Sequence, residues 1–505
     1  MRSIEMEARF SPANQPRFRQ RGFVLTLPCP ARRQAIKIKN ISDLITGHKL
    51  PAETGAITWM RGPLGGLFTL PWFDPASIYF LRNWYLPLSR LWGVADEAQG
   101  SVARFVEIAQ FELGDSRYQR LGKVLFRFEV SRARVNAIDA AWRCAFFGDN
   151  APTASDLVAI EKARKDAHQA HNMRRGDLRF LLRFKPQTSR YVIPSQTEVE
   201  ALYGGIRADP QAYFTLPAAM PPVEQSRGFD AADGRQYWIR FQSPSQRTGD
   251  LVYARVHEPA GVNNPPTIIY GHGICVEFDY LEGLVDEVDV LCRLGFRVVR
   301  PEAPFHGRRR PQGYYGGEYI SATSPLGVLD TFTAAVAERA VLMDWCRRSS
   351  TGPVTMGGSS LGALIAQLLT GAAANWPQAL RPDALLLIMH CSKMEDALIH
   401  GSIAKLFGAL KAKHEAGWSV TTVAEYLRAL NPPAQPSVAA ANIVSVLGTR
   451  DAATPFSGGL ELLDRWQVPP SNRFVWPQGH FSLPIALTRN DAPLRHFQQV
   501  VKGLT

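Results

Sequence analysis

Three residues at fixed spacing open the functional reading: Gly358, Ser360 and Gly362, in the run TGPVTMGGSSLGALIAQ over residues 351–367. A serine hydroxyl attacks a carbonyl only when the chain presents it openly and a base removes its proton. Glycine two positions before and two after the serine clears side chains from a tight strand-to-helix turn. The helix that follows aims its first amides at developing negative charge. Ser360 is the serine with glycine on both sides, since Ser359 would need one at Leu361. The pattern is short enough to recur by chance. Its weight depends on a histidine that can take the proton and a carboxylate that can orient the imidazole.

The elements needed to hold such a turn follow residue 226. QYWIRFQ and DLVYARVHEP alternate as a strand pair, and PTIIYGHG is a third strand ending in glycine. Helix and strand patterns then alternate: LVDEVDVLCRLG before FRVVRPEAP, VLDTFTAAVAERAVLMDWCRR before PVTMGGSS, and ALIAQLLTGAA before DALLLIMHC. That rhythm predicts an α/β fold, a largely parallel sheet covered on both faces. Helical, mixed-charge sequence interrupts it at about 396–436. NIVSVLGTRD, FSGGLELLDRW, NRFVWPQGH and a closing helix at 493–502 then complete it. Residues 349–380 carry no charged side chain, but the Gly/Ser break within them predicts a buried strand and helix rather than a membrane span.

Two opening strands, this alternation and the Gly358-x-Ser360-x-Gly362 elbow resemble the alpha/beta-hydrolase fold. The resemblance covers residues 226–505, with the 396–436 insertion in the place of a cap. In that family the order is serine, acid, histidine. It implies Asp451, after IVSVLG, as the acid and His480, after FVWPQG, as the base, with Glu395 after LLLIMHCSKM as the alternative acid. Leu361 is implied as one backbone donor to the oxyanion. The His272-Gly273 element implies a second donor at Ile274, with Gly273 behind it. The loop PEAPFHGRRR resembles those of dienelactone-hydrolase-like and peptidase-like members, which makes His272, His306 and Arg308 candidate substrate contacts. His272 doubles as support for its loop, and the three arginines 308–310 have Glu302 and Glu318 as structural partners. The implied activity is cleavage of a carboxylic ester of a small molecule through an acyl-enzyme, with no cofactor and no metal. Thioesterase, amidase or peptidase, and acyltransferase use the same triad.

Residues 1–225 match no family and read as an accessory region, mainly helical after residue 100, with a linker at TLPAAMPPVEQ. Of 57 basic and 45 acidic residues, 31 and 20 fall in residues 1–220, so the net +12 is almost all N-terminal. A basic arm over residues 1–40 and an aromatic, proline-rich stretch over 57–92 allow weak contact with a membrane surface. The prolines argue against one continuous helix there. A second class of protein follows from the same basicity: a non-enzymatic scaffold with a hydrolase fold, holding an anionic membrane or nucleic acid. No zinc-finger spacing or RNA-binding aromatic motif supports specific nucleic-acid recognition. His168 and His171 stand three apart without a third ligand and read as solvated side chains. Six scattered cysteines and an N-terminus without an apolar signal core make the cytoplasm the expected location.

Overall fold

The five-residue strands Thr267–Gly271 and Arg297–Pro301 are buried along their whole length because helices cover both faces of the sheet they form. The computed structural model describes residues 63–149, 151–231, 234–275 and 287–504. The basic arm over residues 1–40 and Trp59 lie outside them.

Nine strands make one sheet: β1 (Glu224–Ala231), β2 (Gly234–Gln242), β3 (Leu251–Pro259), β4 (Thr267–Gly271), β5 (Arg297–Pro301), β6 (Val354–Ser359), β7 (Leu385–Ile388), β8 (Ile443–Gly448) and β9 (Arg473–Trp476). Their order is β1-β2-β3-β5-β4-β6-β7-β8-β9. β1, β2 and β3 pair antiparallel, β3 meets β5 antiparallel, and β4 to β9 run parallel. This is the alpha/beta-hydrolase fold. The sheet gains one strand over the sequence reading: β1 begins at Glu224, at the end of the stretch read as linker, and its glycine-containing EQSRGFDA lacks the apolar alternation that marks β2.

The helix Leu326–Ser349 and the elbow helix Leu361–Ala372 lie on one face, within the largest apolar cluster. The helices Val288–Arg293 and Ala492–Lys502 lie on the other, where Phe296 stacks on Phe497. Between β7 and β8 the chain forms short helices at Asp396–His400, Ser402–Phe407, Ala409–Glu415 and Val420–Arg428. Among the described residues no helix is long and apolar enough to cross a membrane.

Ahead of the sheet, a hairpin of two helices, Asp115–Phe147 and Ala154–Met173, packs Trp142 against Trp238 of β2, with ring centres 5.5 Å apart. His168 and His171 are buried here rather than solvated. His168 bonds Asp139 at 2.8 Å, and His171 is wedged between Trp92 and Phe128. An isolated polar residue on a charged helix gives no sign of which face a second layer will cover. The described residues contain no cluster that could hold a metal ion.

The aromatic stretch is also more regular than its prolines predict. It is helical without interruption from Phe73 to Ala98, with one π turn at Leu81–Tyr85. Pro75 sits in the first turn, where no backbone donor is needed. Pro87 follows the π turn, which absorbs its missing N–H. Trp92 is buried in the accessory core, whereas Trp72, Tyr79, Phe80 and Trp84 are about half exposed or more.

Candidate active site

Ser360 occupies the point where β6 turns into the elbow helix, at φ 51° and ψ −116°. This backbone conformation is sparsely populated for a residue with a side chain and is held by its surroundings. Its amide is tied to the Ile388 carbonyl of β7 at 2.9 Å, and its carbonyl accepts from Leu364 at 2.9 Å. The flanking glycines are required by close approach. A Cβ on Gly358 would sit 2.5 Å from the Gly271 carbonyl of β4, and one on Gly362 would strike the same carbonyl. The elbow therefore packs directly on the neighbouring strand end, which fixes where the serine hydroxyl emerges.

The other two members arrive from the ends of β8 and β9. Those loops are stitched together: Thr449 donates to the Trp476 carbonyl at 2.8 Å and Arg450 to Gln478 at 3.0 Å. Asp451 sits 2.8 Å from His480 Nδ1, and His480 Nε2 sits 3.0 Å from Ser360 Oγ. All three are buried. The Asp451 carboxylate also accepts the Ala453 and Thr454 amides, at 2.8 and 2.9 Å, and the Thr454 hydroxyl at 2.9 Å. Burial works against its charge, but His480 and these donors outweigh it and hold the carboxyl below its ordinary range. Burial also pushes the His480 imidazolium down. The Asp451 charge and hydrogen bond, with a contribution from Asp74, bring it back above the ordinary histidine value. Glu395 lies apart from this chain of contacts, 3.3 Å from Arg428.

Leu361 begins the elbow helix, so its amide has no intrahelical partner, and Ile274 lines the same clefts as Ser360. The amide after Ile274, that of Cys275, donates to His306 Nε2 at 3.1 Å. His272 is likewise occupied: its Nε2 accepts from Ala303 at 3.1 Å, while Nδ1 is 2.8 Å from the Gly273 carbonyl. Both imidazoles are buried and held well below the ordinary histidine pKa, chiefly by desolvation. They join the β4 and β5 loops as neutral struts.

Arg308 does not face the serine. It is ion-paired with Glu302, and its guanidinium lies over Trp142, Trp238 and Tyr253 at 4.9, 4.7 and 5.0 Å. Arg309 pairs with Glu338 and Asp250, and Arg310 with Asp96 at 2.9 Å. Glu318, anticipated as a partner for this run, lies 3.6 Å from Arg90 instead.

One contributor went unseen in the sequence. Asp74, from the aromatic helix, accepts the Phe481 amide at 2.7 Å and the Ser482 hydroxyl, and a Cβ on Gly479 would collide with its carboxylate. It clamps the loop that carries His480 from 406 residues away in sequence. A lone Asp-Pro in an aromatic stretch gives no signal of that partnership.

Two clefts meet at Ser360. The first is narrow, about 60 Å³, and lined mainly by Ile274, Leu361, Leu364, Ile399, Ile403 and Phe407. The second contains His480, Phe481, His272 and Met389.

The sheet order, the strained serine between two glycines and the family match below define the class: the chain is a member of the alpha/beta-hydrolase superfamily. Within that class, residues 288–409, which include the elbow but neither Asp451 nor His480, match the family model described as alpha/beta hydrolase domain containing 18. No curated protein matches the chain in sequence. Among solved structures it is similar to acetyl xylan esterase 1 from Thermoanaerobacterium sp. JW/SL YS485, with 15% identity over 62% of this chain and 96% of that one and a TM-score of 0.39. An S-formylglutathione hydrolase from Agrobacterium tumefaciens shares 13% identity over 55% and 99%, with a TM-score of 0.37. A cold-adapted esterase from an Arctic intertidal metagenomic library shares 15% over 54% and 97%, with a TM-score of 0.35. At such values these likenesses carry no argument about activity.

Proposed function

We propose that the protein is a serine hydrolase that cleaves a carboxylic ester of a small molecule through an acyl-enzyme on Ser360. The observation that carries this reading is the continuous contact from Ser360 Oγ to His480 Nε2 and from His480 Nδ1 to Asp451, at 3.0 and 2.8 Å. In the first half-reaction His480 takes the Ser360 proton as the hydroxyl oxygen bonds to the ester carbonyl carbon. The oxyanion that forms is met by the Leu361 and Ile274 amides. The ester C–O bond then breaks, and His480 returns the proton to the departing alcohol. Water repeats the sequence on the acyl-enzyme and restores Ser360 with release of the acid. Asp451 keeps Nδ1 protonated and stabilises the imidazolium without itself taking the proton. No cofactor enters this scheme.

His480 lines the second cleft and not the first. The group it protonates, the leaving alcohol, therefore belongs to the second cleft and the acyl group to the first. In this reading residues 226–505 carry the chemistry, while the accessory helices brace the loops that bear His480 and His306. The small apolar volume of the first cleft favours a short acyl chain.

A fluorophosphonate probe tests the reading. The wild-type protein is expected to be labelled at Ser360 and Ser360→Ala to remain unlabelled. Equal labelling of the two, or none of either, overturns it.

A further inference from the structure

The acyl cleft contains one residue that its apolar lining does not account for. Lys413 belongs to the short helix Ala409–Glu415, where it and Ala409 form the buried face, while Lys411 two residues earlier is almost fully exposed and pairs with Glu415. Lys413 is only 4% exposed and lines the same cleft as Ser360. Among the described residues no carboxylate, carbonyl or hydroxyl takes its ammonium group, and the single influence on its protonation is burial, which pushes it down to about 8. It is still mostly charged at neutral pH.

A buried cation without a partner is among the costlier things a fold can hold, and a leucine or methionine would fill the position more cheaply. The other polar side chains on the cleft wall, the hydroxyls of Ser321, Ser324, Ser360 and Thr454, are uncharged. With no counter-charge for Lys413 among the described residues, an anionic occupant of the cleft is what would neutralise it. That volume, about 60 Å³, has room for roughly four to six water-sized groups, since one needs about 10–15 Å³ in the same measure. The occupant is thus a short chain with an anionic end.

We propose that Lys413 binds a free carboxylate on the acyl group, so that the substrate is the half-ester of a short dicarboxylic acid. This rests on the acyl-enzyme reading of Ser360 and names the class of acid that it would carry. Ester cleavage occurs at one carboxyl of the diacid while the other remains ionised against the ammonium. Water consumed in the second half-reaction leaves the free diacid, and no further reactant is needed. Lys413 here is a specificity-determining residue, and the reacting atoms stay with Ser360 and His480.

The test pairs p-nitrophenyl hexanoate with the p-nitrophenyl monoester of adipic acid, equal in chain length and different in terminal charge. The wild-type ratio of kcat/KM for adipate over hexanoate is expected to fall about tenfold to a hundredfold in Lys413→Met, the range expected for loss of a charged hydrogen bond. Lys413→Gln serves as a second variant should the first fail to fold. An unchanged ratio in a folded variant overturns the proposal while leaving the hydrolase reading intact.

A binding arm keeps the two readings separable when neither ester is cleaved. In Ser360→Ala, monoethyl adipate is expected to raise the melting temperature more than ethyl hexanoate does. That difference is expected to vanish in Ser360→Ala/Lys413→Met. Equal shifts for the two compounds, or a difference that survives loss of Lys413, overturn the proposal. A Lys413-dependent shift with no labelling of Ser360 upholds the carboxylate site and rejects the acyl-enzyme.

Discussion

The cleft beside Ser360 and the cavity behind the β5 loop hold charge in opposite ways. The cavity is the larger, about 540 Å³, and is crowded with ionic side chains. Almost every one of them already has its counter-charge in the protein: Arg308 on Glu302, Arg310 on Asp96, Arg309 on Asp250 and His168 on Asp139. Three of the arginines are the consecutive run 308–310, in which the sequence offered Arg308 as a candidate substrate contact and acidic structural partners for all three. The cleft beside Ser360 has one cationic side chain among the described residues, Lys413, and no described residue matches its charge. A satisfied network holds elements together and leaves little charge for a ligand. A lone buried charge leaves a deficit that a ligand can fill. Arg308 and Arg310 accordingly tie the accessory helices to the β5 loop, while under the proposed reading recognition falls to Lys413.

The contrast is broken most severely at the serine. Ser360→Ala is expected to remove ester hydrolysis by a factor on the order of 10⁴ to 10⁶, with the fold intact by circular dichroism. Residual turnover near the wild-type level would detach the narrow cleft from chemistry altogether.

Next in size is the ionic cavity. Arg308→Met leaves the buried Glu302 without that partner and withdraws the cation from three aromatic rings, so a loss of about 3 kcal/mol is expected in denaturant unfolding, with little change in ester preference. A change in preference at full stability would reverse the roles given to the two regions.

Lys413→Met should do the opposite and stabilise the protein. A lysine held at about 8 in the folded state and at its ordinary 10.5 when unfolded is destabilising while charged. The unfolded chain then binds more protons between pH 8 and 10.5, so wild-type stability is expected to rise with pH across that window, by up to about 3 kcal/mol. The variant is expected to lack the rise and to start from the higher value. Parallel pH curves for the two proteins would show that Lys413 is solvated in the folded state.

The smallest effect concerns Asp74. His480 must be neutral to accept the serine proton, and its raised pKa places the acid limb of the rate profile above the ordinary histidine value. Asp74→Asn removes a nearby negative charge and loosens the Phe481 and Ser482 contacts, so kcat is expected to fall about tenfold and the acid limb to move to lower pH. A fall in kcat with no movement of the limb would confine Asp74 to a structural role.

Local chemistry made the elbow legible in the sequence: glycine at 358 and 362 is the residue that lets a serine stand on a turn packed against Gly271, and that demand is met within five positions. The alternation of apolar runs and helices in residues 226–505 likewise follows from burial of each strand on both faces, so sheet and elbow were readable together. The edge strand β1 and the continuous helix from Phe73 to Ala98 were not, since edge pairing and a π turn override weak local preferences. What only the tertiary structure decided is which distant groups meet. Asp451 rather than Glu395 reaches His480 because the β8 and β9 loops are tied to each other. Asp74 arrives from the accessory region, Arg308 and Arg310 turn away toward tryptophans, and Lys413 turns inward with no counter-charge among the described residues. Spacing along a chain records what neighbouring residues require of one another. The neutralisation of a charge depends on whichever surface folding brings against it, and no short stretch of sequence carries that information.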